Sequence, residues 1–191
     1  MKIYDISQEV FSCEVYPGDP KPHRKILQST ANGDVCNLTE FSMCAHNGTH
    51  IDAPFHFIEG GKTVDKIALE KFVGGCIVSE FDGELKGEDA QKILKSGEKR
   101  ILLKGQAVVT EAAAEVFAKG GVYLIGNESQ TIGPEDGPMT VHKILLRAEI
   151  VLLEGIRLEN VPEGKYMLFA QPLNLGGADG SPCRAVLLQN N

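Results

Sequence analysis

The sequence predicts one α/β domain, residues 1–191, built on a mixed, strand-rich sheet. Three observations predict it. Several short runs are continuously apolar, as strands covered on both faces are. Three segments with helical patterns, read from glycine boundaries, an N-cap or apolar spacing, lie between them. Pro/Gly clusters at 17–22, 133–138 and 176–182 read as loops, not as linkers between domains. With 191 residues, 42% hydrophobic and 24% charged, the chain is long enough to bury one sizeable core.

Taken in order, the strand-like runs are "KIYDI" (2–6), "VCNLTEFSM" (35–43), "GCIVSEF" (75–81), "RILLK" (100–104), "VYLIG" (122–126), "EIVLLEG" (149–155), "YMLFAQ" (166–171) and "RAVLL" (184–188). The first helical segment, "GEDAQKILKSG", is bounded by glycines. In "TEAAAEVFAKGG", Thr110 is placed as an N-cap, Glu111 falls in the first turn and Gly120 ends the segment. In "TVHKILLRAE", Val141, Ile144, Leu145 and Ala148 share one helical face.

Composition narrows the function classes. The formal net charge is -7 and no basic run is present, which argues against nucleic acid as a partner. No apolar run approaches the ~20 residues that span a bilayer, so no membrane partner is expected. The start "MKIYDISQEV" lacks the apolar core and cleavage site of a secretory signal, which points to the cytoplasm. The five cysteines are scattered without a C-x-x-C pair, so neither a disulfide framework nor a cysteine zinc site is expected.

The chemistry concentrates in "CAHNGTHIDAPFHF", residues 44–57, which holds three of the five histidines. Asn47-Gly48, Thr49, Ile51 and Pro54 oppose a helix. In an extended segment, alternate residues share a face. His46, Gly48, His50, Asp52, Pro54 and His56 then lie on one side, with Gly48 leaving room between histidines. The other side is mostly apolar. Imidazoles and a carboxylate form a ligand set for zinc or another first-row divalent ion. Elsewhere, His142 sits in the third helical segment, and Glu154 ends an apolar run where a carboxylate is costly unless paired or metal-bound. The glycine-rich "LGGADGSP" (175–182) reads as a turn, because it lacks the context and spacing of a dinucleotide site. No G-x-S-x-G elbow is present.

The pattern H-x-G-T-H-x-D-x-P-x-H in "HNGTHIDAPFHF" resembles the cyclase family of metal-dependent hydrolases, which includes bacterial kynurenine formamidases (arylformamidases) and isatin hydrolases. The resemblance extends to "YPGDP" (16–20), "VHKILLRAEIVLLEG" (141–155) and "PLNLGGADGSPCRAVLL" (172–188), and so covers nearly the whole chain. It implies a swivelling β/β/α domain that forms a homodimer or larger homo-oligomer. It implies His46, His50 and Asp52 as ligands of a first metal, with Asp52 bridging to a second held by His142 and Glu154. His56 matches the family's proton donor and acceptor. Tyr16 stands where formamidases carry a substrate-contacting tryptophan. The cofactor implied is one or two Zn2+, with Mn2+ possible.

The function implied is hydrolysis of a small amide, N-formylkynurenine to kynurenine and formate, by metal-activated water. The alternatives are a cyclic amide or lactone as substrate, or metal binding without turnover. The sequence departs from the formamidases in three places. It lacks their longer aromatic-rich insertion after "RILLK". "NESQTIGP" replaces a "TDxxSxD"-like segment, with Glu128 near the acidic position and Gly133 in place of the second acid. Tryptophan is absent.

Overall fold

The computed structural model describes residues 1–189. Its strands are β1 (Lys2–Asp5), β2 (His23–Gln28), β3 (Leu38–Ser42), β4 (His50–Asp52), β5 (Val73–Glu80), β6 (Gly83–Leu85), β7 (Arg100–Lys104), β8 (Ala107–Val109), β9 (Leu124–Asn127), β10 (Val151–Glu154), β11 (Gly164–Phe169), β12 (Gly180–Pro182) and β13 (Val186–Gln189). The helices are α1 (Gly87–Leu94), α2 (Glu111–Lys119) and α3 (Met139–Arg147). The class is the expected α/β, with a mixed sheet of nine strands in the order β1-β13-β11-β5-β7-β9-β10-β4-β12.

The centre of the sheet, β5-β7-β9-β10, is parallel, and both flanks are antiparallel. The parallel strands include the most continuously apolar runs, because alternate side chains enter two different cores. Leu102, Leu124, Val151 and Leu153 join Phe72, Ile51 and Leu187 on one face. Ile101, Leu103, Ile125 and Leu152 pack on the other against Phe117 of α2 and Val141 and Leu145 of α3. The α2 start is capped as the sequence predicts: Thr110 Oγ1 accepts a hydrogen bond from the Ala113 N–H at 3.3 Å.

Four short strands escape the sequence reading. β6 and β8 pair with each other in a separate two-stranded sheet, and β12 lies inside the run read as a turn. The fourth, β2, pairs with β3 in a ribbon apart from the main sheet, and every residue of both strands is exposed. The run 35–43 is therefore a strand without a core face, and its polar/apolar alternation does not mark burial. His23, read as solvated surface, is exposed at the start of β2.

Candidate active site

β4 is the structural base of the site. It lies between β10 and β12 and is antiparallel to both, with Glu154 opposite His50 and Gly180 opposite Asp52. Cross-strand neighbours stand close on the same face. The two acids and a histidine are therefore brought together by strand register. α3 precedes β10 and lays His142 over the same spot.

The extended reading of 44–57 holds only for His50–Asp52. His46 lies in a turn, and His56 ends a single 3-10 turn that begins at Pro54. Gly48 has φ 64, which breaks the extended path. Its missing Cβ makes room for Cys13 rather than for a histidine, since a Cβ there would lie 2.9 Å from Cys13 Cβ. On the expected apolar side, Ile51 and Ala53 are buried but Phe55 is 44% exposed.

All five residues matched to metal ligands converge. His46 Nδ1 lies 2.7 Å from Asp52 Oδ1, and His50 Nε2 lies 3.3 Å from the same oxygen. His142 Nε2 lies 3.7 Å from Asp52 Oδ2 and 3.1 Å from Glu154 Oε1. His50 Nε2 is 3.5 Å from Glu154 Oε2. Each imidazole is anchored from behind. His50 Nδ1–H donates to the Gly48 carbonyl at 3.0 Å, and His142 Nδ1–H donates to the Pro138 carbonyl at 2.9 Å. A carbonyl only accepts, so in both rings the proton sits on Nδ1 and Nε2 faces inward. His46 is reversed: Nδ1 faces inward and Nε2 lies 2.9 Å from Asp179 Oδ2.

Asp52 and Glu154 are only 1% and 3% exposed, and no lysine or arginine among the described residues pairs with either. The imidazoles answer for the missing cation. Burial pushes the His50 imidazole down, but Asp52 and Glu154 beside it overcome this and raise it to about 10. His46 and His142 are likewise raised against burial, His46 chiefly by Asp52 and His142 chiefly by Glu154. Burial works against the Asp52 carboxylate, yet His46 and His50 hold it well below the usual carboxylate range. Buried carboxylates facing inward-turned imidazoles, each imidazole fixed by an outer acceptor, are a donor set that fits a divalent cation.

The grouping differs in detail from the sequence expectation. Donor atoms within 4.8 Å of one another occur in His46, Asp52 and His56, and in His50, Asp52 and Glu154. Asp52 belongs to both sets. His56 is half-exposed beside His46, with ring centroids 4.0 Å apart, and its Nδ1 lies 3.2 Å from Asp179 Oδ2. A cavity of about 440 Å³ opens over the cluster, with Tyr16 and Phe57 on its wall.

A family model described as "Putative cyclase" matches residues 4–134. The chain belongs to the cyclase family. Cyclase-family relatives resemble it along its whole length. A kynurenine formamidase of Bacillus anthracis is 32% identical over 97% of this chain and 97% of its own. One from Erythrobacter litoralis is 30% identical over 97% and 93%. A solved structure described as a potential metal-dependent hydrolase with cyclase activity superposes with a TM-score of 0.84 at 28% identity, covering 100% of this chain and 98% of the other. An isatin hydrolase bound to the product analogue thioisatinate shares the fold, with a TM-score of 0.84 at 18% identity over 100% and 93%.

Several cavity residues escape the sequence reading. Asp179 is the main one. It stands in the glycine-rich run before β12, far along the chain from both histidines it meets. Its only sequence signal is an acid within a loop that borders the pocket. Gln130 and Thr131 also line the cavity, on the segment "NESQTIGP". Glu128 does not line it. Its carboxylate accepts from the Gly105 N–H at 2.8 Å and the Leu158 N–H at 2.7 Å. The turn after β7 therefore closes directly onto Glu128.

Proposed function

We propose that this chain is a metal-dependent hydrolase of a small amide, acting as an arylformamidase on N-formylkynurenine or a close N-formyl aryl amide. The observation that carries the reading is the converging set His46, His50, Asp52, His142 and Glu154, in which each imidazole turns one nitrogen toward Asp52 or Glu154 and ties the other to an outer acceptor. These residues would hold one or two divalent ions. Zn2+ suits the nitrogen and oxygen donors, and Mn2+ is the alternative. Such an ion, when bound, would act as a Lewis acid and would lower the pKa of water toward ~7.

The chain's own residues do the rest. His56 has its Nδ1 engaged by Asp179, which leaves Nε2 to accept a proton from water as the water oxygen bonds to the carbonyl carbon. The imidazolium returns that proton to the leaving nitrogen as the C–N bond breaks. An imidazole can accept a proton on one nitrogen while the other stays an N–H donor, which suits both transfers. Tyr16 and Phe57 flank the cavity and offer faces for an aryl group. The cavity volume of about 440 Å³ suits a small molecule of this class.

The whole chain, residues 1–191, acts as one domain, a reading supported by the nine-stranded sheet that pairs β1 with β13. The chain works in the cytoplasm, supported by five cysteines of which none of the described ones is in a disulfide. No helix among the described residues is long and apolar enough to cross a membrane. A homodimer or larger homo-oligomer is supported by the exposed apolar ribbon β2–β3.

The test is formate release from N-formylkynurenine by the metal-loaded protein and by His56→Ala, with isatin assayed in parallel. Turnover that collapses in His56→Ala with metal retained supports the reading. Hydrolysis of isatin alone selects a cyclic substrate. Bound metal without turnover on either compound or a wider amide and ester panel makes the chain a binding protein.

A further inference from the structure

We infer that Asp179 is a positioning residue that locks the proton carrier His56 to the metal ligand His46 through one carboxylate oxygen. The inference rests on the roles proposed above for those two histidines. Asp179 Oδ2 lies 2.9 Å from His46 Nε2 and 3.2 Å from His56 Nδ1. A carboxylate only accepts, so both rings present an N–H to it. This leaves His46 Nδ1 turned toward Asp52, and it keeps His56 in the tautomer whose Nε2 can take a proton. The two rings lie nearly stacked, 31° from parallel.

The loop that carries Asp179 is built to hold this position. The Gly177 N–H donates to Asp65 Oδ1 at 3.1 Å, and the Val64 N–H donates to the Ala178 carbonyl at 2.9 Å. The Asp179 carbonyl accepts from the Ala53 N–H at 2.9 Å, and Gly180 then enters register with Asp52. The backbone is thus fixed on both sides of Asp179, by the segments that follow and contain the histidine motif. Gly180 has no Cβ, and a Cβ there would lie 2.6 Å from His46 Cε1. The loop therefore presses against the His46 ring, which fixes the backbone from which Asp179 reaches both imidazoles. Outer acceptors of this kind typically change metal affinity or activity by ~10–100-fold when removed.

The experiment compares the parent, D179A, D179N, H56A and the double variant H56A/D179A, each at saturating Zn2+ with bound metal measured. In D179A, kcat is expected to fall ~10–100-fold with KM within ~3-fold of the parent. D179N keeps an acceptor oxygen and is expected to recover part of that loss. H56A/D179A is expected to be no slower than H56A, because the two residues act through one proton transfer. A D179A rate within ~2-fold of the parent overturns the inference. So does an equal further loss when D179A is added to H56A, or a D179A loss fully explained by metal stoichiometry. Full activity in H56A is a separate failure: it removes His56 from the reaction and overturns the reading on which this inference stands.

Discussion

Asp52 Oδ1 lies 2.7 Å from His46 Nδ1, while its other oxygen points to His142 Nε2 at 3.7 Å. One buried carboxylate therefore faces imidazoles from two sides: a turn just before its own strand, and helix α3. A carboxylate shared in this way can bridge two cations, and its surroundings decide what happens when one partner is changed.

Glu154 separates folding from metal binding. Its Oε1 accepts from the buried Ile132 N–H at 2.7 Å as well as facing His142. Glu154→Ala leaves that N–H without an acceptor, which costs ~1–3 kcal/mol in the metal-free protein as well. Glu154→Gln keeps an acceptor for that N–H but gives up the charge facing His50 and His142, and is expected to melt below the parent and above Glu154→Ala when metal-free. Both variants are expected to lose bound metal. Thermal melts with chelator, beside elemental analysis, check this; an E154Q variant that keeps full metal contradicts it.

Gly180 is expected to be intolerant although it lies outside the histidine motif. A methyl group there would meet His46 Cε1 at 2.6 Å and the Ile51 carbonyl at 2.9 Å. Gly180→Ala should displace the His46 ring and weaken metal binding by at least ~10-fold. Gly176→Ala is the control, because a Cβ there meets nothing within 4 Å. Equal metal affinity in the two variants would show that the His46 position does not matter.

The pH dependence of the metal-free protein has a defined sign. The His50 imidazole is raised from 6.5 to about 10 in the fold. A raised group contributes stability that is fully present below its unfolded value and lost as pH rises through the folded one. The metal-free protein is therefore expected to lose stability between pH 6.5 and about 10. Asp52 acts at the other end: its lowered pKa contributes stability above 3.8 that is lost as pH falls through its folded value. Metal must displace the histidine protons, so the increment in melting temperature on adding metal should grow with pH over the alkaline window. Melting curves with and without chelator measure both trends. A flat or rising metal-free curve across that window would count against the charged cluster.

The ribbon β2–β3 makes a prediction about assembly. Ile26 is 66% exposed and Phe41 56% exposed, on strands with no buried residue. Covering them against a second copy would remove this apolar surface from water. Phe41→Lys is expected to shift the protein toward monomer in light scattering. A parent that is monomeric at high concentration would assign the ribbon another role.

How much of this was legible in the sequence depends on the kind of signal. The apolar parallel strands stood out because both their faces are buried, as Leu102 and Leu103 show. The ligand motif was legible because a short stretch of chain carries His46, His50 and Asp52. His142 and Glu154 were individually weak signals, and register and the α3–β10 turn supply what spacing could only suggest. β2 was hidden because an exposed ribbon needs no apolar face. Asp179 was hidden because its partners lie 133 and 123 residues away, and a loop acid has no periodicity to betray it. The even-numbered face of 44–57 was right for His50 and Asp52 and wrong for the path, because Gly48 and Pro54 turn the chain on either side of β4.

The most direct test of the metal centre is elemental analysis of the protein purified without chelator, beside Asp52→Asn prepared in the same way. The expected result is one or two divalent ions per chain in the parent and loss of all or nearly all of them in the variant. A parent that carries no metal and takes up none from added Zn2+ or Mn2+ would contradict the account.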